Sequence, residues 1–84
     1  MQTRVQVRFG NRVRQLRLAA EMTQEDLAHR CGLFRTYMSR IETGAANPTL
    51  TMIHALAGSL RVPVTALFED DAAPKAPRRK ASTA

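Results

Sequence analysis

From Gln24 to Thr43 the chain reads QEDLAHRCGLFRTYMSRIET, with its apolar or small residues at Leu27, Ala28, Cys31, Leu33, Met38 and Ile41. That spacing puts one apolar stripe on each of two short helices. Between them stands Gly32, which can take a positive φ without steric cost and so ends the first helix and turns the chain. Two helices joined this tightly must cross at a steep angle and bury one shared face. Arg35, Thr36, Tyr37, Ser39 and Arg40 lie between the buried positions of the second helix and fall on its outward side. A buried face and a polar outer face on so short a segment leave few alternatives to a helix-turn-helix.

The charge balance says what such an outer face would meet. Thirteen Lys and Arg against seven Asp and Glu give a net charge of +6, and the sequence pI is about 11.1. A balance this basic points to an anionic partner, nucleic acid first. Before residue 70 the basic side chains are all Arg, which makes planar bidentate hydrogen bonds to phosphate and guanine that Lys does not make. A chain of 84 residues suffices for one small domain, which is marginal alone and gains from dimerisation. The single cysteine, Cys31, excludes an internal disulfide and offers no thiolate metal site. No apolar run approaches the ~18 residues of a membrane span, and MQTRVQVRF has no apolar signal core. The expectation is a cytoplasmic protein without membrane contact.

Met1 to Val7 reads as an N-terminal extension (1–7) that frays or pairs with a partner chain. The helix-turn-helix domain then covers 8–69. Helix 1 is expected at about 8–20, with Phe9, Val13, Leu16 and Ala20 as its stripe. Thr23 caps helix 2, at about 24–31, and Asp26 closes a shortened capping box. Helix 3 is expected at about 35–42, ending near Gly44. Thr49 caps helix 4, whose buried stripe would be Leu50, Ile53, Leu56, Ala57 and Leu60. Pro63 suits the first turn of a fifth helix carrying Val64, Leu67 and Phe68. Residues 70–84, rich in Ala, Pro, Lys and Arg, have little to bury and read as a disordered basic tail.

Helix 3 is the candidate recognition helix. Its first residues should reach base edges in the major groove. Arg35 is suited to a bidentate contact with guanine O6 and N7. Arg40 suits a base or a phosphate, as do Thr36 and Ser39, and Tyr37 offers its ring to a thymine methyl or its hydroxyl to a phosphate. Against these stands the plain alternative of a solvated helix face. Thr23 and Gln24 open helix 2 beside free amides and the positive end of a helix dipole. Gln24 there reads as a phosphate clamp and Thr23 as a cap or a phosphate contact. Thr43 and Asn47 follow helix 3, where turn chemistry and phosphate binding compete. Arg17 and Glu42 each adjoin a core position and could form one partly buried pair tying helix 1 to helix 3. His29 and His54 lack metal-ligand spacing and read as surface residues. No catalytic residue set, cofactor loop or metal site emerges, so an enzyme is not expected.

RVRQLRLAAEMTQEDLA, RTYMSRIETG and NPTL in combination resemble the Cro/C1-type (XRE-type) helix-turn-helix family over about Phe9 to Phe68. MTQEDLA with LFRTYMSRIE looks closest to the small controller proteins of restriction–modification systems, although phage and chromosomal repressors share the pattern. The resemblance implies an all-α, five-helix, lambda-repressor-like domain, a homodimer and a palindromic operator. By position it supports Arg35, Thr36, Ser39 and Arg40 as readers, Gln24 on a phosphate, and Arg17 with Glu42 as an internal pair. Its usual dimer contact maps onto Leu60, Val62, Val64, Leu67 and Phe68. Three positions depart from the pattern. Phe34 stands where a short polar cap is usual. It would pack on the DNA backbone or thymine methyls, or alter the helix start. Ala45 and Ala46 replace residues that are often basic. Arg61 occupies a site often held by Gly and should strain the exit of helix 4 by roughly 1 kcal/mol.

The expected function is a dimeric transcriptional regulator of double-stranded DNA that responds to its own concentration by filling adjacent operators. Activation would add RNA polymerase as a partner. A protein-interaction module, such as an antitoxin whose tail folds on a partner, is the alternative. APKAPRRKASTA lacks the apolar anchors such a tail needs.

Overall fold

The computed structural model describes residues 3–69. The order is α1 (Arg4–Ala19), α2 (Gln24–Cys31), α3 (Arg35–Thr43), α4 (Leu50–Leu60) and a 3₁₀ helix, Val64–Phe68. No strand occurs among the described residues. The basic tail expected at 70–84 lies outside them.

The caps follow local chemistry. Thr23 Oγ1 accepts from the Asp26 amide at 3.0 Å, and Asp26 Oδ2 accepts from the Thr23 amide at 3.0 Å. The backbone and side-chain hydrogen bonds from Thr23 hold the Asp26 carboxyl below its ordinary pKa, helped less by the charge of Arg30. Thr49 Oγ1 accepts from the Met52 amide in the same way. At the other ends, Glu21, Gly32, Gly44 and Arg61 all take positive φ. Each lets the next amide reach back: Met22 to Arg17 O, Leu33 to Ala28 O, Ala45 to Arg40 O and Val62 to Ala57 O. This is the Schellman closure, which satisfies carbonyls the helix leaves free. Two of the four left-handed positions carry a side chain. Arg61→Gly is therefore expected to stabilise the protein by about 1 kcal/mol, which is roughly 4–8 °C in melting temperature. A thermal melt at equal protein concentration checks it, and an unchanged or lower midpoint would show that Arg61 carries no strain.

Helix α1 begins earlier than the apolar periodicity indicated. Thr3 and Gln6 form a reciprocal capping box, so residues 4–7 extend α1 rather than fray. Two tertiary contacts hold this extra turn. Gln6 Nε2 donates to Ala46 O at 2.8 Å, and Val7 fills the space where Gly44 has no side chain.

Phe9, Val13, Leu27, Ala28, Met38, Ile41, Ala46, Leu56, Ala57, Leu60 and Leu67 form one core drawn from all five elements and the α3–α4 loop. Leu16, Cys31, Leu33, Ile53 and Val64 pack against its edge. Two stripe positions lie outside it. Ala20 is exposed at the end of α1. Leu50 is 71% exposed, because burial along α4 begins only at Met52 and the start of its first turn projects past the packed region. The fifth helix is a 3₁₀ turn with Pro63 as its N-cap. Arg12 of α1 pins that turn, its Nε donating to Ala66 O at 2.8 Å and its Nη2 to Glu69 Oε1 at 3.1 Å.

Candidate nucleic-acid interface

Helix α3 divides by side. Met38, Ile41 and Glu42 are buried against α1 and α2, while Arg35, Thr36, Arg40 and Thr43 are exposed and Tyr37 and Ser39 are half-buried. Arg35, Thr36 and Arg40 therefore share the outer surface of one helix, with Arg35 and Thr36 in its first turn. Tyr37, expected to face outward, instead packs against the edge of the core, and Ser39 lies at the boundary. Arg40 Nη2 donates to Ala45 O at 3.2 Å, and Thr43 Oγ1 donates to Arg40 O at 3.3 Å. The first bond draws the Arg40 side chain toward the α3–α4 loop, in which Asn47 is exposed, and the second ties Thr43 back to its own helix.

A polar triad sets the position of this helix. Arg17 Nε donates to Glu42 Oε2 at 2.7 Å and its Nη2 to Glu42 Oε1 at 3.1 Å, a bidentate pair. The two side chains are 8% and 2% exposed. Arg17 Nη1 also donates to Met22 O at 2.7 Å, tying the α1–α2 link into the same cluster. Gln24 Nε2 donates to Glu42 Oε1 at 3.0 Å. The sequence singled out Gln24 for a phosphate, and its amide N–H has an internal acceptor here. Thr23 serves as a cap, its hydroxyl oxygen accepting from the Asp26 amide.

Phe34 is the N-cap of α3 and makes no side-chain cap bond. Its carbonyl accepts from the Tyr37 and Met38 amides at 3.0 and 3.1 Å, so the helix starts normally without a polar cap. The alternative that Phe34 alters the helix start is thereby removed.

The residues assigned to a dimer contact separate. Leu60 and Leu67 are 7% and 0% exposed. They belong to the protomer's own core and have no surface to offer a partner. Val62 and Val64 are half-buried. Phe68 is 51% exposed and lies against Phe9 with ring centroids 5.2 Å apart. Val5 is exposed beside it, and the two line a cavity of about 130 Å³ with Arg8, Phe9, Leu67 and Glu69.

Gly10 escaped the sequence reading. A Cβ there would run into Ile41 O and stand 2.8 Å from Glu42 O. Gly10 is thus where α1 and α3 come backbone to backbone. Its signal was an isolated glycine inside a helical pattern, which lowers helix propensity unless packing requires it.

A family model described as a helix-turn-helix domain matches residues 8–68. The chain is 43% identical over 63 residues to control protein C.BamHI of Bacillus amyloliquefaciens, covering 74% of this chain and 78% of that protein. The crystal structure of the restriction–modification controller protein C.AhdI from Aeromonas hydrophila superposes with a TM-score of 0.72 at 42% identity, over 74% of this chain and 94% of that one. The controller protein C.Esp1396I, solved as a tetramer with its natural 35 base-pair operator, gives a TM-score of 0.71 at 32% identity, over 79% and 87% of the two chains. A matched region that spans both helices of the turn, α4 and the 3₁₀ segment places this chain in the XRE-type helix-turn-helix family.

Proposed function

We propose that this protein is a homodimeric, sequence-specific DNA-binding transcriptional regulator that acts on a palindromic operator and controls its own expression, as a restriction–modification controller would. The carrying observation is the outer surface of α3, where Arg35, Thr36 and Arg40 are exposed, with the half-buried Tyr37 and Ser39 at its edges, on a helix whose other side is locked into the core. Arg35 reads a guanine, Thr36, Tyr37 and Ser39 contact bases, and Arg40 reads a base or grips the backbone. Thr43 and Asn47 take phosphates beyond the helix, while Thr23 and Gln24 take one at the start of α2 through groups left over from capping and the triad. Phe68 with Val5 beside it, together with the exposed parts of Val62 and Val64, forms the self-contact. It sets the two recognition helices ~34 Å apart, one turn of B-DNA. Similarity to a controller solved on its operator supports DNA as the partner. RNA polymerase enters only where the protein activates, and the site of action is the cytoplasm.

Selection of bound sequences from a random DNA pool tests this. The wild type should return a palindrome with a guanine in each half. Arg35→Ala should lose that guanine preference, a discrimination of about 1–3 kcal/mol per contact. Salt-sensitive binding without any motif would mean that net charge alone holds the DNA.

A further inference from the structure

We propose that Phe34 reads the C5 methyl group of a pyrimidine in the major groove, making this protein responsive to thymine and to 5-methylcytosine at one position in each half-site. This rests on the DNA-binding reading above, chooses the base over the backbone among the DNA contacts the sequence left open for Phe34, and extends that choice to methylated cytosine.

Phe34 breaks two local rules at once. A phenyl ring 83% exposed gains nothing from the fold. At an N-cap it also displaces the Ser, Thr, Asp or Asn that would hold an amide of the first turn, and α3 indeed lacks any side-chain cap. Every other α-helix here is capped by a threonine: Thr3, Thr23 and Thr49. A sequence that follows the rule three times and departs from it only at the tip of the recognition helix departs for function, which is where such conflicts concentrate.

Chemistry then selects the target. The ring precedes Arg35 and Thr36 directly, at the end of α3 whose residues contact base edges. Phosphates there are charged and hydrated, and a phenyl group has no hydrogen bond to give them. The apolar feature that B-DNA presents in the major groove is the thymine methyl. In 5-methylcytosine the same methyl sits on the same ring atom, so the ring meets it equally well.

Two DNA pairs that differ by one methyl test this. Once the selected operator is known, each thymine in one half-site is replaced by uracil, singly. At the responsive position, cytosine and 5-methylcytosine are then compared on otherwise identical DNA. Wild-type protein should lose about fourfold in affinity on the thymine-to-uracil change, the worth of one buried carbon. It should regain a similar factor from cytosine to 5-methylcytosine. Phe34→Ser should be indifferent to both changes while keeping the guanine preference of Arg35. It should also melt higher than wild type, since serine restores the cap, so lost methyl sensitivity could not come from misfolding. Wild-type binding that tracks the operator but ignores every methyl would overturn the inference and leave sequence-specific regulation standing. The inference is equally overturned if Phe34→Ser retains full methyl sensitivity. Absence of any selected operator would instead strike the underlying reading.

Discussion

Glu42→Ala is expected to destabilise the protein by about 3–5 kcal/mol, because it leaves the Arg17 guanidinium buried without its anion. Glu42 accepts from Arg17 Nε at 2.7 Å, from Arg17 Nη2 at 3.1 Å and from Gln24 Nε2 at 3.0 Å. Three donors therefore lose their acceptor together. Small domains hold only about 5–15 kcal/mol in total, so the variant should unfold at much lower urea. The large cost reflects one stranded charge and not the net worth of the pair. Replacing both partners, Arg17→Met with Glu42→Leu, should recover most of the lost stability. Urea unfolding of the two single variants and the double variant checks this. Equal, additive losses would mean that the pair is not coupled. DNA binding by the double variant carries a second expectation. If the triad fixes the tilt of α3, restored stability should come without restored operator preference.

Gly10→Ala is expected to lower stability by about 2–3 kcal/mol, or roughly 10–20 °C in melting temperature. In an exposed helix the same change would stabilise by about 1 kcal/mol. Here the added Cβ collides with Ile41 O and meets Glu42 O at 2.8 Å, both backbone atoms. No rotamer change relieves that contact, so α1 and α3 must move apart, carrying the Arg17–Glu42 geometry with them. Gly58 supplies the control. It lies in α4, and a Cβ added there would meet nothing within 4 Å, so Gly58→Ala should stabilise slightly. Thermal melts of both variants check the pair of expectations, and shifts of the same sign would contradict the close crossing.

Much of the fold was legible in local pattern. The bounds of α2 and the turn at Gly32 follow from a threonine cap, an apolar stripe and a glycine, all within ten residues. Arg61 also announced itself as a side chain at a helix exit where glycine fits better, and its φ of 59° agrees. The start of α1 was not legible, because Arg4 to Val7 carry no apolar stripe of their own. Their helix is held by Gln6 on Ala46 and by Val7 on Gly44, contacts about forty residues away in sequence. Leu60 and Leu67 misled for a related reason. An apolar residue near the end of a chain looks the same whether it faces a partner or the protomer's own core. Arg12, bonded to Ala66 and Glu69, closes the C-terminal turn over Leu67.

The candidate site divides in the same way. Periodicity determined that Thr36 and Arg40 face outward, since a helix with Met38 and Ile41 inside must put them outside, but it did not show that the flank carrying Tyr37 packs against the core edge. Residue pattern and composition likewise determined the family resemblance and the basic character of the chain. Only the tertiary structure decided that Gln24 is tied to Glu42, that Gly10 sets the approach of α1 to α3, and that Leu60 and Leu67 lie in the protomer's own core. The physical reason is range. Periodicity and capping are settled by neighbours within one or two turns, whereas a buried hydrogen bond or a backbone approach depends on which distant segment folding brings alongside.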